Sequence, residues 1–385
     1  MLDIEVIKNF SIDKSDWQTI KFGDVVYEPK ESVKDPIAEG IKHVVGLEHI
    51  NSEDIHLRRS ASMEESTTFT KKFSEGDVLF GRRRAYLKKA AKASFEGICS
   101  GDITVMRANQ EFLISDLLPF IVNNDNFFDH AITHSAGGLS PRVKFKDIEN
   151  YSILLPQLEE QGRLVELLKL ADQQVEQESV LLEKLHVLYQ SIKKDFFFND
   201  DQYPERLIGE LVKIKSGDSP STFELNEDGI GIPFNKVADM NESIKYQNFA
   251  KEWATPIENK IIKPGSVIFP KRGASIMTNK VRIVEKECHV DTNIMALSII
   301  DESVLLNEYL YYFLLFKGLY KIADTAQIPQ INNIHINPYP INLPPLDIQR
   351  SLVDKLNLVM DELDSVKCKI NRTINLKKEL VKRIL

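Results

Sequence analysis

The feature that most constrains this chain is that it says nearly the same thing twice. Gly76-Asp77-Val78-Leu79-Phe80, followed at once by Gly81-Arg82-Arg83-Arg84, returns as Gly265-Ser266-Val267-Ile268-Phe269, followed by Pro270-Lys271-Arg272-Gly273. Ile148-Glu149-Asn150-Tyr151-Ser152-Ile153 returns as Ile336-Asn337-Pro338-Tyr339-Pro340-Ile341. Leu155-Pro156-Gln157-Leu158-Glu159-Glu160-Gln161 returns as Leu343-Pro344-Pro345-Leu346-Asp347-Ile348-Gln349. The matches keep their order, at an offset close to half of the 385 residues.

A long helix is expected after each Pro-x-Leu-x-x-Gln. In the first, Leu164, Leu168, Ala171, Val175, Glu178, Leu182, Leu185, Tyr189, Ile192 and Phe196 step by four and three alternately. In the second, Leu352, Leu356, Val359, Leu363, Val366, Ile370, Thr373, Lys377, Leu380 and Ile384 do the same. That is a heptad pattern, broken only by Glu178, Thr373 and Lys377. The leading Pro suits a first helical turn, and Glu159, Glu160 and Asp347 suit the positive end of the helix dipole. The segments before the helices carry short β-type runs punctuated by Gly, Pro, Asn and Asp, and read as mixed α/β domains. The expected class is therefore α+β. Residues 1–157 form a first globular domain, 158–198 a helix, 199–345 a second globular domain and 346–385 a second helix. Antiparallel pairing of the helices keeps the connections short and gives the chain approximate twofold symmetry. Two similar domains held apart on a stiff coiled coil suit two half-sites on a duplex, with the coil fixing their separation.

Charge bears on where such a chain could meet nucleic acid. The net charge is −8, so any DNA binding is local or is helped by partners. The most basic run, from Arg82 to Lys92, holds six cations and no acid. Within it Arg82, Arg83, Arg84, Tyr86, Lys88 and Lys89 are candidate DNA contacts. The corresponding place in the second copy holds Lys271, Arg272, Ser275, Thr278, Asn279 and Lys280. Arg and Lys neutralise phosphates, and Arg and Asn also reach base edges. A solvated face is the usual fate of a charge run; its recurrence in both copies favours contact. A second candidate is the turn Ser135-Ala136-Gly137-Gly138-Leu139-Ser140-Pro141-Arg142, corresponding to Thr325-Ala326-Gln327-Ile328-Pro329-Gln330-Ile331-Asn332-Asn333. Ser140, Arg142, Gln330 and Asn332 are its candidate contacts, and turn-making is an equal reading of the same residues.

Other chemistry is missing. No G-x-x-x-x-G-K-[ST], H-E-x-x-H or G-x-S-x-G occurs, so no catalytic residue is assigned. Asn337-Pro338-Tyr339-Pro340 resembles an amino-methyltransferase motif but lacks its second Pro, and reads as a strand lead-in. Glu258-Asn259-Lys260 fits a nuclease pattern only as a chance tripeptide. His43, His49 and His56 have no metal-ligand spacing, and no metal is expected on this chain. Cys99, Cys288 and Cys368 stand far apart and read as buried or incidental thiols. Apolar runs such as Tyr309–Phe316 are too short to span a bilayer. Met1-Leu2-Asp3-Ile4-Glu5 lacks a signal-peptide pattern, so no membrane partner and a cytoplasmic location are expected.

With two domains, each closing in Pro-x-Leu-x-x-Gln and a long helix, and with Gly-Asp-Val-Leu-Phe leading into basic residues, the whole chain resembles the specificity subunit of Type I restriction–modification systems. It departs from that family's pattern at Pro156-Gln157, where two prolines are common, and at Asp347-Ile348-Gln349, where Glu-Gln is usual. The resemblance implies that each target-recognition domain reads one half of a bipartite sequence in double-stranded DNA. It implies that the helices space them and dock two modification subunits, which bind S-adenosylmethionine and methylate adenine. Restriction subunits that use ATP and Mg would join, leaving this chain with no cofactor of its own. Apolar residues off the heptad seam, Val165, Leu167, Leu170, Leu181, Leu358, Ile374 and Leu376, either form the docking surface or widen the seam. The alternatives are a specificity subunit of a related non-Type I system, in which one partner both methylates and cuts, and a coiled-coil scaffold that binds no DNA.

Overall fold

The computed structural model describes residues 11–63, 68–326 and 328–385, so Met1–Glu5 and Gln327 lie outside the described residues. The chain divides into two compact units, Met1–Val180 with Lys367–Leu385, and Leu181–Val366. Each unit holds one copy of the repeat and half of each long helix.

In the first unit, strands β1 (Gln18–Lys21), β2 (Val26–Tyr27), β3 (His43–Val45), β4 (Ala61–Ser62), β5 (Lys71–Phe73), β6 (Val78–Gly81), β7 (Ala90–Lys92), β8 (Gly97–Cys99), β9 (Ile103–Ala108) and β10 (Ser152–Leu155) build two four-stranded sheets, β2-β9-β6-β7 and β4-β3-β8-β5, and the pair β1-β10. In the second, β11 (Glu205–Leu207), β12 (Val212–Ser216), β13 (Leu225–Asn226), β14 (Ile232–Asn235), β15 (Tyr246–Gln247), β16 (Glu252–Ala254), β17 (Val267–Pro270), β18 (Arg282–Val284), β19 (His289–Val290), β20 (Ile294–Ile299) and β21 (Pro340–Asn342) repeat the plan as β12-β20-β17-β18-β15, β13-β16-β14-β19 and β11-β21. Even the parallel pairings recur, β3 with β8 and β14 with β19.

The repeated Gly-x-Val-x-Phe is the strand at the centre of this plan. Val78 and Phe80 enter one apolar cluster with Phe22, Phe127 and Phe128, while Leu79 enters another with Val45, Phe73 and Val105. Val267 and Phe269 likewise join Tyr309 and Phe313, while Ile268 joins Met240 and Val290. A strand buried on both faces needs an unbroken apolar run, which is why no alternation shows there. Gly76 and Gly265 open the motif at φ +91° and +81°, the left-handed region that glycine enters without strain. The next residue is buried in both copies. Asp77 receives Arg107 Nε at 2.6 Å, and in its place Ser266 meets Ser298, the two hydroxyls 2.8 Å apart.

The Gln of Pro-x-Leu-x-x-Gln explains the other repeated motif. Gln161 Oε1 accepts from Ile114 N–H at 3.0 Å, and its Nε2 donates to the carbonyls of Phe112 and Pro156. Gln349 makes the same three bonds, from Leu306 N–H and to Val304 and Pro344. Both side chains are buried, and each locks a long helix to the loop before another helix of its unit, Leu118–Val122 or Asn307–Lys317. The helices run Leu158–Phe198 and Leu346–Ile384. Pro156 and Pro344 therefore stand outside the first turn: Gln157 and Pro345 accept the first intrahelical bonds, and the prolines offer their carbonyls to the glutamines.

The helix halves pair antiparallel within each unit. In the first, Leu164, Leu168 and Ala171 share a core with Leu380 and Ile384. In the second, Ile192 and Phe196 pack on the core that holds Leu352 and Leu356, and Tyr189 O–H points at Met360 Sδ, 3.6 Å away. The seam-breaking residues all have partners. Lys377 Nζ donates to the buried Asp172 at 2.5 Å, Lys369 lies 3.3 Å from the buried Glu178, and Thr373 Oγ1 donates to the Lys369 carbonyl at 3.0 Å. Among the described residues no helix is long and apolar enough to cross a membrane.

Candidate nucleic-acid interface

In both copies β6 or β17 runs out of the buried sheet into a basic segment, and the backbone there is tied to a loop from later in the chain. In the first unit Arg82 N–H donates to the Asp102 carbonyl, Val143 N–H to the Arg82 carbonyl and Arg84 N–H to the Pro141 carbonyl at 2.8 Å. Ala136 and Arg142 close the loop by two reciprocal bonds of 3.0 and 2.9 Å. In the second unit Lys271 N–H donates to Asn293, Ile331 N–H to Lys271, and Gly273 N–H to Pro329 at 2.8 Å, with Asp324 and Gln330 closing the loop. The two segments that the sequence offered as separate candidates are thus one site in each copy, and the backbone pairs Arg142 with Gln330 as equivalents.

The side chains divide into engaged and unengaged groups. Asp102 accepts from Arg142 Nε at 2.8 Å and from Arg83 Nη1 at 3.2 Å, and Arg83 also reaches Ser140 Oγ at 3.3 Å. Partial burial opposes ionisation of Asp102, but the hydrogen bonds and charges of the two arginines outweigh it and hold the carboxyl below its usual range. Lys88 meets Asp125 at 2.5 Å, Lys89 donates to the Leu47 carbonyl at 2.7 Å, and Lys92 is paired with Asp116. Most of the basic run is therefore answered by groups distant in sequence. Among the described residues Arg84, exposed and at φ +55°, has no ion-pair partner, and Arg82 keeps a buried Nε with no acceptor. Tyr86 is 51% exposed beside them.

In the second copy Asn293 stands at the place of Asp102, so the carboxylate that pairs Arg83 has no counterpart at that position. Lys271, Arg272 and Lys280 have no ion-pair partner among the described residues, and burial together with the Arg272 charge holds the Lys271 ammonium below its usual value. Ser275 Oγ donates to the Arg272 carbonyl and Thr278 Oγ1 to that of Ser275. Asn279 is spent on structure: its amide donates to the Leu315 carbonyl and accepts from Leu319 N–H, at φ +48°. Asn332 N–H donates to His335 Nδ1 at 3.1 Å, and its side chain is exposed.

The remaining motifs are structural. Pro340–Asn342 is strand β21, led in by Asn337-Pro338-Tyr339. Lys260 pairs with Asp218 at 2.6 Å. His43 bonds Ser60, His49 accepts from Gly46 N–H, and His56 bonds Asp172, so each histidine has its own protein partner. Off the helix seam, Val165 joins the core of the first unit and Leu376 is buried, whereas Leu170, Leu181 and Leu358 are exposed, as are Val187 and Leu188.

Comparison with known proteins follows the same two-copy division. The family described as Type I restriction modification DNA specificity domain matches residues 14–186 and again 201–376. The Type I restriction enzyme MjaIX specificity subunit of Methanocaldococcus jannaschii is 23% identical over 371 residues, covering 85% of this chain and 84% of its own. A solved chain from work on complex assembly and conformational transition of the type I R-M system has a TM-score of 0.62 at 23% identity, covering 96% of this chain and 97% of its own. The Type I restriction–modification S subunit from M. genitalium gives 0.60 at 14% identity, covering 98% of each chain.

Proposed function

The chain belongs to the Type I restriction modification DNA specificity family, and on that premise we propose that each of its globular parts reads one half of a bipartite target in double-stranded DNA. The observation that carries this reading is the repeated site: in both copies a strand leaves the core into a basic segment, and a bridged loop is fixed against it. Arg84, Lys271, Arg272 and Lys280, with charge to spare, serve phosphates. Arg83 and Arg142, oriented by Asp102, and Gln330 are placed for base edges, where Arg reads guanine and Gln adenine in the major groove. Tyr86, Lys88, Lys89, Ser140, Ser275, Thr278 and Asn332 border the same surfaces, and Asn279 supports one of them from within. The two sites differ in residues, so the two half-sites differ in sequence.

The chain itself carries no catalysis in this proposal. It directs adenine methylation and restriction by partner subunits. Two modification subunits hold S-adenosylmethionine and dock on the exposed apolar residues of the long helices, Leu170, Leu181, Val187, Leu188 and Leu358 among them. Restriction subunits supply ATP- and Mg-dependent cleavage. The test is methylation mapping: the chain is expressed with its neighbouring modification subunit in a host lacking other methylases, and modified adenines are sequenced. A split motif with a fixed gap, dependent on this chain, is expected. Unmethylated DNA despite a soluble complex would overturn the proposal.

A further inference from the structure

Each bridged loop carries an exposed aliphatic side chain, Leu139 before Ser140-Pro141-Arg142 and Ile328 before Pro329-Gln330. Leu139 is 97% exposed and Ile328 is 69% exposed. Single exposed aliphatics are common on protein surfaces, but these two occur in the same loop of both copies. Each lies between the same closing bridges, Ala136 with Arg142 and Asp324 with Gln330, and each loop is pinned at its base by a proline carbonyl, Pro141 or Pro329. Neither loop needs the aliphatic for its own packing, since neither side chain belongs to an apolar cluster of its unit.

From this placement we infer that Leu139 and Ile328 are wedges that enter a base step of the bound duplex, one in each half-site. The inference rests on the DNA-reading function proposed above and adds how the loops engage the bases. Three properties of the loops favour that occupant. The cations without ion-pair partners among the described residues, Arg84 in one copy and Lys271 and Arg272 in the other, sit on the segment that follows the strand and to which each loop is bonded, so a phosphate backbone is drawn to the base of each loop. Around Leu139 the neighbours Gly137, Gly138 and Ser140 are small enough to follow it between groove walls, and Gly137 sits at φ +116°. The base is held by backbone bonds, so little further ordering is needed on insertion. Leu and Ile are side chains that proteins insert between bases to unstack a step and kink the duplex.

The test uses the full chain and a duplex bearing the target found by methylation mapping, with 2-aminopurine substituted at one adenine at a time. Binding is read by anisotropy and unstacking by 2-aminopurine emission. For the unaltered chain, emission rises at a step in each half-site on binding. Leu139→Ala abolishes the rise in one half only, weakens binding by about tenfold and leaves the melting temperature unchanged; Leu139→Met retains the rise. Ile328→Ala does the same in the other half. Binding without a rise at any position, or a rise untouched by both alanine variants, overturns the wedge and leaves the DNA-reading function standing. Failure of the unaltered chain to bind the duplex, both alone and with its modification subunit, overturns both.

Discussion

At the scale of single residues, the sequence overstated charge and understated hydrogen bonding. The run from Arg82 to Lys92 reads as six free cations, yet Asp102, Asp125 and Asp116 answer three of them from elsewhere in the chain. No local pattern announces such partners, because they come from later turns and the start of a later helix. Arg84 and Arg272 are left with full charge, so Arg84→Ala and Arg272→Ala should each lower the slope of log K against log salt by about one unit. Arg83→Ala should lower it less, since Asp102 already neutralises part of that charge; equal slopes for all three would mean that the ion pairs open on DNA. The glutamines behave in the opposite way. Gln161 and Gln349 were legible as repeated letters, and only the fold gives their reason. Gln161→Ala strands one N–H and two carbonyls in a buried place, which costs on the order of 3 kcal/mol. Calorimetry should show a clear drop in melting temperature, against almost none for the exposed Gln110→Ala. Similar melting of the two variants would show that water replaces the amide.

At the scale of elements, the long helices were the most legible part of the chain, because a heptad is written locally and only needs to be read along one strand of sequence. Their polar positions were not, since the partner of Lys377 lies 205 residues away at Asp172. That carboxylate is shared: His56 Nε2, from the globular part of the first unit, bonds it at 2.7 Å, while Arg58 of the same segment binds Glu176 at 2.5 Å. The ions thus clamp the globular part to the helix pair. The hydrogen bond to Asp172, aided by the charges of Asp172, Glu176 and Asp54 and opposed by partial burial, raises the His56 pKa above its ordinary value. A group held more basic in the folded state stabilises it fully below its unfolded pKa, and that stabilisation is lost as pH rises past about 6.5 and through the folded value. Melting temperature should therefore fall over that range by more in the unaltered chain than in His56→Gln; identical profiles would remove His56 from the clamp. His289 in the second unit runs the other way. Burial lowers its pKa, and its Nε2 accepts from Ile257 N–H, so its share of stability is lost as pH falls below the ordinary histidine value.

At the scale of the whole chain, the duplicated order of domain and helix was legible because both copies kept the letters that the fold needs most: the doubly buried strand, the glycine before it and the glutamine that locks the helix. The bridged loops were legible only as candidates, since Arg83 and Ser140 or Gly273 and Pro329 meet across long stretches of intervening chain. The same architecture makes a prediction about distance. If the helices set the gap between the half-sites, removing one heptad from each, in register, must change that gap without disturbing the seam. Leu181–Val187 and Asp361–Lys367 are such a pair. Their loss leaves Glu178 four residues from Tyr189 and Val359 four from Ile370, so the alternation of threes and fours continues, and it spares Lys369, Asp172 and Met360. Seven residues of helix are about 10 Å. At about 3.4 Å per base pair, the non-specific spacer of the methylated motif should shorten by about three pairs, with both half-sites unchanged. Mapping methylation with the shortened chain checks this directly. Methylation at the original spacing would mean that the duplex or the partner subunits, and not these helices, measure the gap.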